Sequence, residues 1–188
     1  MGIHSILSHL FYPNLCLGCG GDSLNDGEFI CFKCYAELPY THFNIHRNNK
    51  TERVFYGRTR ITHAMSLLYF SKNAVVQNLM HELKYKGQKE LGIHLGRMMG
   101  KAINESECFS DIDYLVPLPL SERKKRQRGY NQSEMLCIGI SEVIEKPVLN
   151  NTVLRTVHTS TQTRKHRRER WKNVEGIFEI REGEKLNG

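Results

Sequence analysis

Residues 116–132, VPLPLSERKKRQRGYNQ, decide how the fold of this chain is interpreted. An apolar run at residues 113–116 is typical of a strand, and a Pro-Leu-Pro bend, a basic loop and a Gly-Tyr-Asn-Gln helix start follow it. Such a loop offers backbone N–H groups and arginines to an anion at the carboxyl end of a strand, where α/β folds bind their ligands. A solvated basic turn is the alternative interpretation.

The positive charge of the chain is concentrated in two runs. The net charge is +7 over 188 residues, and residues 122–128 and 164–170 each hold five Lys/Arg and one Glu. Each run therefore carries +4, and the remaining residues sum to −1. Localised charge of this kind indicates anionic partners such as phosphate esters or nucleic acid. A hydrophobic content of 39% is ordinary for a globular chain of one domain with a small appendage.

Four cysteines form two CxxC pairs separated by eleven residues: Cys16, Cys19, Cys31 and Cys34. A CxxC turn can direct both sulfurs to one point, and two such turns complete a tetrahedral shell for Zn²⁺. Iron in a rubredoxin-like site suits the same ligands, and a dithiol redox pair is a weaker alternative. We expect residues 1–42 to form a zinc-binding module in which the metal is structural.

Residues 43–188 are predicted to form an α/β domain. Strands are expected near residues 64–70, 112–116, 152–155 and 176–180, and helices near residues 75–87, 91–103 and 131–145. Ser71 is a candidate N-cap for the first helix, and Asn131 with Glu134 is a capping-box-like start for the last. Strands that alternate with helices predict a mostly parallel sheet. The polar residues 42–60 are interpreted as a linker.

A second basic element, residues 159–174, is rich in hydroxyl, amide and guanidinium groups and poor in aliphatic side chains. A segment of this composition buries little apolar surface and could close over a polyanionic ligand. A solvated surface helix anchored by Trp171 is the alternative. Arginines beside Tyr130 and Trp171 could also pair with phosphates and stack on the bases of single-stranded nucleic acid.

The sequence contains no pattern for export or membrane insertion. The N-terminus lacks a basic n-region and a small-residue cleavage site, and no run approaches the roughly 18 apolar residues that span a bilayer. We therefore expect a cytoplasmic protein with no membrane insertion, whose cysteines stay reduced.

The cysteine quartet, VPLPLSERKKRQRGYNQ and RTVHTSTQTRKHRRERWKNVEGIF (residues 155–178) together resemble the ComF family of competence-associated, amidophosphoribosyltransferase-like bacterial proteins. The resemblance implies a type I phosphoribosyltransferase-like parallel sheet preceded by a zinc knuckle. It also implies a role in natural transformation, in which family members help a partner helicase bring single-stranded DNA into the cytoplasm.

The same resemblance assigns ligand contacts to two groups of residues. The loop from residue 117 through the Arg-Gly-x-Asn-Gln motif matches the pyrophosphate side of the site, and Arg155 with the residues after it matches a mobile hood loop. The candidate anion- or phosphate-binding residues are Arg123, Lys124, Arg126, Arg128, Gly129, Tyr130, Asn131, Gln132, Thr159, Gln162, Arg170 and Asn173.

One motif of that fold is missing from the sequence. Phosphoribosyltransferases of this type carry a strand and loop of the form VDDVxTTG, whose acidic residues hold the ribose and whose Thr-Thr-Gly holds the 5-phosphate. The sequence ends at Gly188, where such a strand would begin. A fragment of a longer protein, a truncated gene product and a genuine short form each explain this. We favour a fragment, because a sheet without an internal strand leaves buried backbone groups unpaired.

Two functions therefore compete, and no catalytic residue can be named for either. The first is a non-catalytic adaptor of DNA uptake that binds single-stranded DNA or phosphoribosyl compounds through the two basic loops. The second is phosphoribosyl transfer from phosphoribosyl pyrophosphate with Mg²⁺, if a C-terminal tail supplies the missing motif. A redox metalloprotein, a third interpretation, rests on the cysteines alone.

Overall fold

The computed structural model describes residues 14–22, 24–25, 27–72, 74–155 and 176–181. The chain divides into two compact units, Met1–Leu91 and Gly92–Gly188. The predicted boundary between residues 42 and 43 stays a prediction. In the described part of the chain, no helix combines the length and apolarity needed to cross a membrane.

The described residues form five α-helices, two 3₁₀ turns and one small sheet. Their order is α1 (Phe32–Ala36), a 3₁₀ turn (Glu52–Val54), α2 (Val75–Tyr85), α3 (Lys89–Asn104), a 3₁₀ turn (Glu107–Phe109), α4 (Glu122–Arg128), α5 (Gln132–Ile144), β1 (Val153–Arg155) and β2 (Phe178–Ile180). The three helices predicted from apolar periodicity are confirmed as α2, α3 and α5, and the structure adds α1 and α4.

Helix α2 supplies part of the core of the first unit. Its residues Val76, Leu79 and Leu83 recur at helical spacing and are buried, as the amphipathic pattern predicts. The helix begins after Ala74, and no side chain caps it. The prediction that Ser71 is the N-cap is therefore wrong, because the helix starts too late for that side chain to reach its first N–H groups.

Residues 41–66 are held by a network of hydrogen bonds, and their interpretation as a linker is wrong. The centre of the network is Asn49, which is buried. Its Nδ2 donates to the carbonyl oxygens of His46 at 3.0 Å and Ala64 at 2.8 Å. Its Oδ1 accepts from the N–H groups of Thr51 at 2.8 Å and Glu52 at 3.1 Å. One amide thereby joins two distant parts of the segment.

The strand predicted at residues 64–70 is not formed. Its pairing is limited to an isolated antiparallel bridge between Tyr40 and Leu68. Flanking hydrogen bonds extend the bridge on both sides, from Thr41 N–H to the Leu67 carbonyl at 3.1 Å and from Tyr69 N–H to the Pro39 carbonyl at 2.9 Å. The partner residues 39–41 are too few to support a longer ladder.

In the second unit, α3 and α5 cross at two glycines whose backbones touch. A Cβ on Gly139 would lie 2.0 Å from the carbonyl oxygen of Ile93 and 2.9 Å from Cα of Gly96. Only glycine at both positions permits this approach. Arg97 on α3 also donates from Nε to Oε2 of Glu142 on α5 at 2.6 Å, which adds an exposed ion pair at the same crossing.

The structure confirms a mixed α/β chain with a small sheet. Strands β1 and β2 pair antiparallel, with Val153 opposite Ile180 and Arg155 opposite Phe178. Among the described residues, parallel pairing is confined to one isolated bridge between Leu115 and Val148. The strand predicted at residues 112–116 is therefore reduced to a single bridging residue, because only Leu115 exchanges backbone hydrogen bonds with the segment around Val148.

Candidate metal centre and basic surface

The sulfurs of the four predicted metal ligands come together in the first unit. The Sγ atoms of Cys16, Cys19, Cys31 and Cys34 all lie within 4.8 Å of one another. Those of Cys19 and Cys31 are 3.9 Å apart. Four sulfurs at a zinc–sulfur distance of about 2.3 Å form a tetrahedron with edges of about 3.8 Å. The spacing therefore fits a four-thiolate metal site and is far longer than the bond of a disulfide, about 2.05 Å.

Backbone N–H groups surround the sulfur of Cys16. Its Sγ accepts from Gly18 N–H at 3.4 Å and from Cys31 N–H at 3.2 Å. Burial alone would raise the pKa of Cys16, but these donors outweigh burial and lower the pKa to about 6. Burial, with the neighbouring thiols, raises the pKa of Cys34. A bound cation would favour the thiolate at every position, since only thiolates are metal ligands.

Two glycines and helix α2 shape the first CxxC turn. Gly20 has a φ of +75°, a left-handed conformation that favours glycine. A Cβ on Gly18 would lie 2.9 Å from Cγ1 of Val75 and 3.0 Å from Sγ of Cys34. Asn78 of α2 donates from Nδ2 to the Gly18 carbonyl at 2.6 Å. Helix α2 therefore fixes this turn against the cysteine cluster and leaves no room for a side chain at Gly18.

The donor set explains what the cluster can do. Four sulfurs are soft ligands that suit Zn²⁺ or iron, and four protein ligands complete a tetrahedral shell. With a metal bound, such a site would have no open position for a substrate and would stabilise the fold. Two further thiols, Cys108 and Cys137, lie outside the cluster. Burial raises the pKa of Cys137 to about 11, so this thiol stays neutral.

The first basic run is a helix, and the prediction of a loop there is wrong. The sequence ERKKRQR consists of good helix formers, and Gly129 ends α4 in a left-handed conformation with a φ of +78°. Three cationic side chains of α4 are exposed, those of Arg123, Lys125 and Arg126, whereas Lys124 and Arg128 are half-buried. The helix therefore presents a compact group of cations to solvent.

The residues that follow α4 are buried and hold the local structure together. Tyr130, Asn131 and Gln132 are all buried. Asn131 accepts from Ser133 N–H at 3.1 Å, which confirms it as the N-cap of α5, and donates to the Leu118 carbonyl at 3.1 Å. Arg128 donates from Nη1 to Oε1 of Gln132 at 2.7 Å. Their assignment as ligand contacts stays a prediction.

A cavity of about 260 Å³ lies in the second unit between the Pro-Leu-Pro bend, α4, the start of α5 and β1. Lys125 and Arg155 contribute positive charge to its wall, Glu122 and Glu134 contribute carboxylates, and three asparagines contribute amides. This lining suits a polar ligand that carries both anionic and hydrogen-bonding groups. The cavity adjoins the Pro-Leu-Pro bend, next to which the sequence predicts an anion site.

Four of the predicted ligand residues, Thr159, Gln162, Arg170 and Asn173, lie outside the described residues, as does the whole second basic run. The hydrogen-bond network around Asn49 is not predicted by the sequence pattern. A local signal exists for its Asx turn, in which the Asn49 side chain accepts from the N–H two residues later, but not for the bond to Ala64.

The fold and the site define a class of protein: a mixed α/β chain with a four-cysteine cluster that could hold a metal ion, and with a basic helix. No family model and no solved structure matches the chain. The chain is 25% identical over 175 residues to Competence protein F of Haemophilus influenzae. The matched region covers 92% of this chain and 72% of that protein. It is 29% identical over 105 residues to DNA utilization protein YhgH of Escherichia coli. That matched region covers 54% of this chain and 46% of that protein. These similarities show that the chain is related to the ComF family.

Proposed function

We propose that this chain is an accessory protein of DNA uptake that binds single-stranded DNA, and that α4 is one of its contacts. The observation that carries the proposal is the group of exposed cations on α4. The names of the relatives, which refer to competence and DNA utilization, support the same role. A competence helicase as partner, and action in the cytoplasm, are parts of the same proposal.

The geometry of α4 suits a phosphate backbone. Arg123 and Arg126 are three residues apart on the helix, so their Cβ atoms are about 5–6 Å apart on one face. Each phosphate that a cation neutralises releases counterions. For single strands, the logarithm of the binding constant therefore falls with the logarithm of the salt concentration, with a slope of about −0.7 for each contact. The second basic run, residues 164–170, would add to this contact.

The test is a titration of fluorescent oligothymidylate with the full chain at several salt concentrations. We expect Arg123→Glu/Arg126→Glu to lower the affinity at least tenfold and to reduce the salt slope by about 1.4. Lys84→Glu/Lys101→Glu, two exposed helix lysines, makes the same change in net charge and is the matched control. Arg128 is left intact because it donates to Gln132. Equal loss in both variants would show a net-charge effect only and would reject α4 as the contact.

We infer that the metal of the cysteine cluster is zinc. Zinc would supply folding free energy to the first unit and no chemistry with a substrate. One zinc per chain in the purified protein, lost together with the structure of the first unit in Cys31→Ser, is the expected result. Iron in the wild-type protein, or equal metal content in the variant, would reject the assignment.

A second candidate function is supported by the cavity beside α4. Lys125 and Arg155 in its wall could pair with a phosphate ester such as phosphoribosyl pyrophosphate, the ligand that the resemblance to phosphoribosyltransferase-like proteins implies. Transfer would require Mg²⁺ and a segment with the missing ribose-phosphate motif. Calorimetric titration with phosphoribosyl pyrophosphate and Mg²⁺ tests this candidate. Binding that Arg155→Ala abolishes would support it, and no heat of binding would reject it for this chain.

A further inference from the structure

We propose that residues 42–72 of the first unit form a second contact surface for single-stranded nucleic acid, here called the aromatic-basic surface. Exposed rings of this surface stack on bases, and exposed Lys/Arg side chains pair with phosphates. The inference rests on the proposed function, because it takes the same ligand, but it concerns residues that no part of that proposal uses.

The charge of the aromatic-basic surface is the first argument. Residues 42–72 hold six Lys/Arg and one Glu, a net charge of +5, which the count over the whole chain hides because acidic residues elsewhere offset it. All six cationic residues are exposed: Arg47, Lys50, Arg53, Arg58, Arg60 and Lys72. The single acid, Glu52, is only 7% exposed. The segment therefore presents six cationic side chains at the surface, whereas its own acidic residue is buried.

Exposed aromatic rings among these cations are the second argument. Tyr56, Tyr69 and Phe70 are 57%, 44% and 64% exposed. The ring of Tyr69 packs edge-on against Phe43 with centroids 5.6 Å apart, and Nζ of Lys50 lies 5.9 Å from its centroid. Support from one side by Phe43 holds the ring in place. A base can then stack on Tyr69 while its phosphate pairs with Lys50.

A second pair of ring and cation is built around Asn48. The hydroxyl of Tyr56 donates to Oδ1 of Asn48 at 2.6 Å, and Nε of Arg53 donates to the carbonyl of the same residue at 2.9 Å. One residue thereby fixes an exposed ring and an exposed guanidinium next to each other. Repeated pairing of a ring with a cation distinguishes a single-strand platform from a purely electrostatic patch.

The hydrogen-bond network beneath the surface keeps these side chains in position. Asn49 joins residues 46 and 64 through its amide. The Thr51 and Ser66 hydroxyls are 2.9 Å apart, and the Thr41 hydroxyl donates to the Ser66 carbonyl. Because the backbone is fixed before the ligand arrives, little ordering is required on binding, and affinity gains from this preorganisation.

The test uses the full chain, fluorescent oligothymidylate and a duplex of the same length. We expect Lys50→Ala/Tyr69→Ala to weaken single-strand binding about tenfold and to lower the salt slope by about 0.7. Lys84→Ala/Tyr85→Ala also removes one exposed lysine and one exposed tyrosine, at the end of α2, and should bind as the wild type does. The duplex should bind more weakly, because its bases are not free to stack.

The outcomes separate this inference from the proposed function. If Arg123→Glu/Arg126→Glu loses affinity and Lys50→Ala/Tyr69→Ala does not, the aromatic-basic surface is rejected and the role of α4 stands. A wild-type chain that fails to bind oligothymidylate rejects both. If Lys50→Ala/Tyr69→Ala does not fold, Arg58→Glu/Arg60→Glu replaces it, since both arginines are exposed cations of the same surface, and wild-type affinity there rejects the surface. Duplex binding as tight as single-strand binding also rejects it and would favour a general polyanion site.

Discussion

Replacement of Gly18 by alanine is the sharpest test of how the cysteine cluster is built. The new Cβ would lie 2.9 Å from Cγ1 of Val75 and 3.0 Å from Sγ of Cys34, both inside the optimal contact distance of about 3.5–4.0 Å. Val75 is β-branched and lies in a helix, where a single χ1 rotamer is strongly preferred, so it cannot swing aside. Cys34 cannot move without opening the cluster of four sulfurs.

The expected loss of metal affinity follows from the free-energy cost of overpacking. Overpacking of a close-packed site costs about 1–3 kcal/mol. At about 1.4 kcal/mol for each factor of ten, metal affinity falls roughly 5- to 150-fold. Competition with a chromogenic zinc chelator measures this directly. Lys33→Ala, an exposed change between the second pair of cysteines, should leave the affinity unchanged.

A compensating change makes the test specific. Val75→Ala in the Gly18→Ala background removes the closer of the two collisions and should restore part of the affinity. If Gly18→Ala binds zinc as tightly as Lys33→Ala does, the close approach of α2 to the cysteine turn is refuted. If Val75→Ala adds a further loss, the collision with that side chain is not the cause.

Two further predictions concern stability. Although burial alone would raise the pKa of Glu52, hydrogen bonds from backbone N–H groups and from His63 lower it. Its contribution is therefore present above about pH 4.3, the value in an unfolded chain, and is lost as the pH falls through the lower folded-state pKa. Urea unfolding between pH 6 and pH 3 should show a smaller loss of stability in Glu52→Gln than in the wild type, and equal losses would contradict this. In the second unit, Gly139→Ala should lower the free energy of unfolding by more than about 3 kcal/mol, because the new Cβ collides with the backbone carbonyl of Ile93. Gly129→Ala, which meets no atom within 4 Å, should cost only about 1 kcal/mol of left-handed strain, and equal urea midpoints for the two would refute the close helix crossing.

The features that the sequence predicted correctly depend on short-range spacing. Two CxxC pairs can bring four sulfurs together because each turn is local, and only the closure between pairs requires tertiary structure. The apolar residues of α2 recur at helical spacing, and this spacing alone predicts that residues such as Val76 and Leu79 are buried. Asn131 was recognisable as a cap because the cap bond spans two residues.

The features that the sequence did not predict depend on contacts between distant residues. The residues next to Asn49 do not show that its amide reaches Ala64, fifteen residues away, so the polar composition predicts a linker although the segment has a fixed structure. The charge of Arg123 to Arg128 is typical of a ligand-binding loop, but the helix propensity of these residues decides their conformation. Sheet pairing was the least predictable feature, since β1 pairs with a strand more than twenty residues later and in the antiparallel sense.

The hydrogen bond from Asn78 to the carbonyl of Gly18 has a consequence for how the first unit responds to its surroundings. The bond joins α2 to the turn between the first two cysteines, so a metal bound there as we propose would form one cooperative element with the helix. A ligand that binds only the folded form stabilises that form in proportion to the logarithm of its free concentration. If zinc is that ligand, the folded fraction of the first unit would rise and fall with the metal supply, and so would the fraction of chains in which Lys50 and Tyr69 are held in place. Scarcity of the ion would then unfold α2 and the aromatic-basic surface together.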